Sequence, residues 1–197
     1  MNMIKLSLAA ITLALLGGCA HPLMIAPDAK FERAADAAPR AKAKVGYYIA
    51  DSARAQTVES PGGGGDKVTV TPYRDLETGF YKVLSNVFDG VTTLKSPNDK
   101  AEIDKNGLRY VLTPQVAVTS SSSSAFTWPP TDFSVDLSCA ITDPAGQLLD
   151  TLKVTGTGKA EFSEFKTDHG LSGKRAMNDA LLQLQQKLSD SKLVKGN

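Results

Sequence analysis

The sequence predicts an α+β domain, a mostly antiparallel sheet of about four to five strands with two helices packed on one face. Three observations carry that prediction. Two long segments, around 110–118 and 133–141, alternate apolar and polar residues with period two. Asp143-Pro144-Ala145-Gly146 has the residue order of a type I turn and joins the second of them to a third strand. Two other segments carry apolar residues at helical spacing.

Taken in order, Lys44 to Ala50 is short, aromatic and β-branched, as a strand requires. Asp51 to Asp66 reads as a flexible piece containing Pro61-Gly62-Gly63-Gly64-Gly65-Asp66. Its glycines do not form a phosphate loop: Asp66 precedes Lys67, and Lys67 to Thr71 reads as a strand instead of the helix such a loop opens. Leu76, Phe80, Val83, Leu84, Val87 and Phe88 then form one helical face, with Pro72 near its start and Gly90 past its end. Gly79 costs that helix about 1 kcal/mol relative to Ala, which six apolar residues on one face outweigh.

Val91 to Leu94 suits a short strand, and Asp99 to Lys105 a short helix stopped by Asn106-Gly107. In the first long strand Tyr110, Leu112, Pro114, Val116 and Val118 share a face; Pro114 lacks an amide donor, which places it at an edge or a bulge. In the second, Phe133, Val135, Leu137, Cys139 and Ile141 point inward, so Cys139 is a core residue. Gln147 to Gly158 completes the hairpin. After an irregular stretch, Ala160 to Gly173, Ser172 is a candidate cap for a helix striped by Ala176, Met177, Ala180, Leu181, Leu184 and Leu188.

The N-terminus has another character. Lys5 precedes an apolar run, Leu6 to Leu16, too short for a bilayer span of about 20 residues and suited to a signal peptide. The run ends in Leu16-Gly17-Gly18-Cys19, which resembles the lipobox of bacterial lipoproteins. That resemblance implies cleavage before Cys19, lipidation of its thiol and, with Ala20 in place of an aspartate after it, sorting to the outer membrane. The expected organisation is a signal peptide over 1–18, lipidated Cys19 with a flexible Ala- and Pro-rich tether over 19–43, and one periplasmic domain over 44–190. Multiple acyl chains hold a protein stably where one chain does not.

Charge and cysteine content narrow the function. Without the leader, which holds only Lys5 of the 22 Lys and Arg, the basic residues equal the 21 Asp and Glu. Balanced charge argues against nucleic acid as a partner and against capture of anionic headgroups. With Cys19 carrying lipid, Cys139 has no partner for an internal disulfide.

The amphipathic helix ending in Val87-Phe88, the strand Tyr110-Val111-Leu112-Thr113-Pro114, the Asp143-Pro144-Ala145-Gly146 hairpin and the final Ala/Leu helix resemble small Gram-negative outer-membrane lipoproteins. That group includes YajG-type, curli-secretion, penicillin-binding-protein-activator and transport-auxiliary lipoproteins. The resemblance spans residues 44 to 189 and implies an accessory or binding role, with no catalytic residues to carry over.

Catalytic motifs are not found. His21 and His169 lack the spacing of zinc ligands, and in Gly170-Leu171-Ser172-Gly173 the second glycine follows the serine too soon for a nucleophile elbow. Ser163-Glu164-Phe165-Lys166 matches Ser-x-x-Lys without the companion elements of penicillin-binding enzymes. Asp132 and Asp136 suit a solvated strand face better than a catalytic pair. The remaining feature is the connection Ser120 to Pro130, where Phe126 and Trp128 either fold back on the core or contact a partner or lipid. The expectation is a non-enzymatic accessory or binding subunit in envelope assembly or transport, membrane-attached through Cys19, with an envelope protein partner and no metal or cofactor. Two alternatives stand beside it. A carrier of a lipid or other apolar ligand calls for a cavity lined by both helices, and a cell-wall hydrolase calls for a cleft at Ser163 and Lys166.

Overall fold

A computed structural model describes residues 20–28, 40–123, 129–165 and 167–195. The class is α+β. The strands are β1 (His21–Pro22), β2 (Ala41–Tyr47), β3 (Val58–Pro61), β4 (Lys67–Val70), β5 (Phe88–Thr93), β6 (Leu108–Ser121), β7 (Asp132–Thr142) and β8 (Leu148–Lys159). The helices are α1 (Asp51–Arg54), α2 (Pro72–Val87), α3 (Lys100–Asn106), α4 (Leu171–Asp190) and α5 (Lys192–Lys195).

The main sheet has the order β5-β2-β6-β7-β8. Its antiparallel half is the meander expected from alternation: Leu112 pairs with Ile141, Val116 with Leu137, and Leu137 with Val154. At the β7–β8 turn the Asp143 carboxylate accepts the amides of Ala145 and Gln147 at 2.9 and 2.8 Å, and Gly146 takes a φ of 86°. The other half is parallel, β2 lying beside both β5 and β6. Parallel neighbours need a long crossover, and the chain between β2 and β5 supplies one that includes the whole of α2. The β2–β6 ladder ends at Tyr47 opposite Leu112, so Pro114 lies where β6 has no β2 neighbour.

The stripes of α2 and α4 make the core. Leu76, Phe80, Val83 and Leu84 on α2, and Ala176, Met177, Ala180, Leu181, Leu184 and Leu188 on α4, are fully buried. Asn86 donates to Gln185 Oε1 at 2.9 Å across the two helices. Leu137 and Cys139 are buried as expected, and burial pushes the Cys139 thiol up to about 12, which makes it unreactive.

Several boundaries differ from the sequence reading. Helix α2 ends at Val87 and runs straight into β5, so Phe88 is a strand residue and Gly90 lies inside that strand. Ser172 is not the cap of α4: Gly170 holds that position, and the buried Ser172 hydroxyl donates to the Pro130 carbonyl at 2.7 Å. The supposed loop over 51–66 contains α1 and β3, and β3 pairs with β4 through Ser60 opposite Val68. The domain begins before residue 44, since β2 starts at Ala41. The largest departure concerns the tether over 19–43, because residues 20–28 belong to the folded body. β1 pairs in parallel with β4, and Leu23 and Ile25 are core residues.

Candidate functional site

The segment after residue 19 is seated by alternation. Leu23 and Ile25 turn inward while Met24 between them is 64% exposed. The Leu23 amide donates to the Thr69 carbonyl at 2.8 Å, and the Ile25 amide donates to Asp75 Oδ2 at 3.0 Å. Burial pushes the Asp75 carboxyl up, opposed by that amide and by Arg74. Ile25 packs so closely on α4 that a Cβ at Gly173 would come within 2.2 Å of its Cγ2.

Four pieces of chain converge at this end of the molecule. β1 runs parallel to β4, so residue 20 emerges beside the Gly62–Gly65 turn that precedes β4. The end of β6 is tied to the same turn, the buried Ser120 hydroxyl bonding Ser60 Oγ at 2.7 Å and the Pro61 carbonyl. The β6–β7 connection returns through buried Pro129 and Pro130 to the start of α4. Residues 160–165 and 167–170 close the pole: the Ala160 amide donates to Thr131 O at 2.9 Å, and the backbone at Gly170 lies against the Met24 carbonyl.

Charges here are paired. Lys67 meets Glu59 at 3.0 Å, Lys159 meets Asp132 at 3.2 Å, Lys174 meets Asp168 at 2.8 Å and Arg175 meets Glu164 at 2.7 Å. His21 Nε2 lies 3.8 Å from Asp66. Arg175 holds the Glu164 carboxyl far down, from the ordinary 4.5 to about 2. A depressed carboxylate stabilises the fold above its unfolded value, and that contribution fades as pH falls from about 4.5 to about 2. Glu164→Gln is therefore expected to flatten the acid limb of stability over that interval, read as melting temperature at pH 7 and pH 3. A wild-type and variant difference that is the same at both pH values would refute this.

A second polar cluster lies at the end of β2. Arg54 grips Glu77 with two hydrogen bonds of 2.8 Å, reaches Asp51 at 2.9 Å, and Tyr47 donates to Glu77 Oε1 at 3.1 Å. Arg54 lowers the Glu77 carboxyl, so the group is a closed ion pair without a free base.

Of the residues singled out from sequence, Cys19, Phe126 and Trp128 lie outside the described residues, as does Lys166. Ser120 and Ser121, read as the start of the connection that carries Phe126 and Trp128, belong to β6. Ser163 is exposed in a turn. Asp132 is held down first by the Thr131 hydroxyl and then by Lys159, while Asp136 accepts from Thr155 at 2.6 Å. Among the described residues no three His, Cys, Asp or Glu gather as metal ligands, and no helix is long and apolar enough to cross a membrane. A groove of about 550 Å³ crosses β6, β7 and β8, with Gln115, Asp136, Ser138 and Lys153 in its lining. Val116, Leu137 and Val154 line it as well, so its lining is mixed; the facing sides of α2 and α4, where a carrier calls for its cavity, are filled by buried Leu76, Phe80, Leu84 and Leu184. Sequence reasoning missed the seated segment. Its signal was the apolar pair Leu23 and Ile25 flanking Met24 within a stretch otherwise rich in Ala and Pro.

No family model matches the chain, and no curated protein matches it in sequence. Among solved structures, a Xanthomonas campestris protein of the DUF330 family is similar at 11% identity and a TM-score of 0.46, covering 89% of this chain and 93% of that one. The PelC dodecamer from Paraburkholderia phytofirmans is similar at 17% identity and a TM-score of 0.40, covering 71% and 92%. A minor lipoprotein from Acinetobacter baumannii is similar at 14% identity and a TM-score of 0.38, covering 77% and 93%. Likeness at these scores carries no argument about what this chain does.

Proposed function

We propose that the mature protein is an outer-membrane lipoprotein, anchored through Cys19 and facing the periplasm, that acts as a non-catalytic accessory or binding subunit in envelope assembly or transport. The observation that carries this reading is Leu16-Gly17-Gly18-Cys19 at the end of the apolar run Leu6 to Leu16. The paired state of Asp132, Arg54 and Glu77, and the inert thiol of Cys139, support a role without chemistry. The cleaved chain comprises the lipidated residue 19 and a single domain, and Phe126 with Trp128 are its proposed contacts for an envelope partner. Aromatic residues supply much of the energy at interface centres.

The test is Cys19→Ser. The variant is expected to leave the outer-membrane fraction, either accumulating as the uncleaved precursor or appearing soluble in the periplasm. Normal processing and unchanged outer-membrane fractionation would overturn the reading. Partner contact is tested separately by replacing Phe126 and Trp128 with Ser. Loss of crosslinked partners at an unchanged melting temperature is expected, whereas a fall in stability that accounts for the loss would assign both aromatics to the core.

A further inference from the structure

We infer that the pole formed by residues 20–24, the Gly62–Gly65 turn and residues 160–165 and 167–170 lies directly against the bilayer, with Met24 and Phe162 at the boundary between headgroups and acyl chains. The inference rests on lipidation of Cys19, and adds to it what the bilayer touches.

A flexible tether of some two dozen residues would leave the domain free to tumble, but β1 begins at His21, two residues after Cys19. Two residues span at most about 7 Å, which cannot lift the body from the surface that holds the acyl chains. The seat itself is firm: Ile25 is fully buried, and its amide is held by Asp75. Direction follows from β1 running parallel to β4, since residue 20 must leave at the end where β4 begins.

The surface chemistry at that end suits the occupant. Phe162 is 68% exposed and Met24 64%, and both lie near the start of α4: Glu164, two residues past Phe162, pairs with Arg175, and the Met24 carbonyl meets Gly170. Large side chains exposed beside an anchor gain from entering the interfacial zone, where an apolar group sits about 5–10 Å below the headgroup level. The neighbouring charges are paired with charges of opposite sign, from Lys67 with Glu59 to Arg175 with Glu164. Such a surface neither repels a bilayer nor selects anionic lipid, so the apposition is apolar and geometric and changes little with salt.

The test uses depth. Met24→Cys, Phe162→Cys and Leu148→Cys are each labelled with bimane; Leu148, 59% exposed, lies next to the β7–β8 turn at the other end of the strands, and buried Cys139 does not compete for label. The lipidated proteins are reconstituted in phosphatidylcholine vesicles containing a lipid with a nitroxide near its headgroup. Quenching several-fold greater at 24 and 162 than at 148 is expected, unchanged by added phosphatidylglycerol or by salt. Equal quenching at the three positions, in protein whose mass shows the lipid, would overturn the orientation alone. Absence of lipid from that mass would overturn the anchor, and the orientation with it. Strong quenching at 24 and 162 only when phosphatidylglycerol is present would replace apolar apposition with headgroup capture and overturn the mode of contact inferred here.

Discussion

Gly156→Val is expected to cost the domain about 3 kcal/mol or more of its stability. Along β8 the inward positions are Val154, Gly156 and Gly158, and α4 descends on the two glycines with Ala176 and Ala180. A Cβ at Gly156 would lie 2.2 Å from the Ala176 carbonyl oxygen and 2.3 Å from the Ala180 nitrogen. Both are helix backbone, which cannot rotate away as a side chain can. Overpacking costs about 1–3 kcal/mol and occasionally more, and a β-branched residue against helix backbone belongs at the upper end. Against a total stability of about 5–15 kcal/mol that is a large fraction. Urea unfolding of Gly156→Val beside the exposed control Thr155→Val measures it; equal midpoints would show that α4 does not sit where the glycines place it.

Ile25→Ala is expected to destabilise the domain by about 2–5 kcal/mol, the range in which Leu137→Ala and Leu184→Ala also fall. All three side chains are essentially sealed from solvent, so each truncation loses transfer energy and leaves a cavity. Met24→Ala, one residue away and facing out, is expected to stay within about 0.5 kcal/mol. The comparison separates two views of the N-terminal segment. A tether tolerates both changes, whereas a seated strand tolerates only the second. Indistinguishable urea midpoints for Ile25→Ala and Met24→Ala would return residues 20–28 to the tether.

The meander and the two helices were legible because periodicity reports which face of an element is buried. Phe133 to Ile141 and Ala176 to Leu188 bury the residues that their spacing marked. Periodicity does not report neighbours, so the parallel placement of β2 between β5 and β6 was not legible in Lys44 to Ala50. Short elements were lost for the same reason: β3, with only Ser60 buried, carries no readable alternation. Leu23 and Ile25 are a two-residue signal whose burial is decided by distant partners, Thr69, Asp75 and Gly173. Of the proposed site, Leu16-Gly17-Gly18-Cys19 was legible because it is a contiguous local pattern. The pole around residue 20 was not, since it is assembled from segments separated by more than a hundred residues.

The most direct measurement is the mass of the N-terminal peptide of protein extracted from membranes in detergent. The account predicts a chain that begins at Cys19 and carries a thioether-linked diacylglycerol. A mature chain that begins at another residue, or one with a free thiol at Cys19, would contradict it.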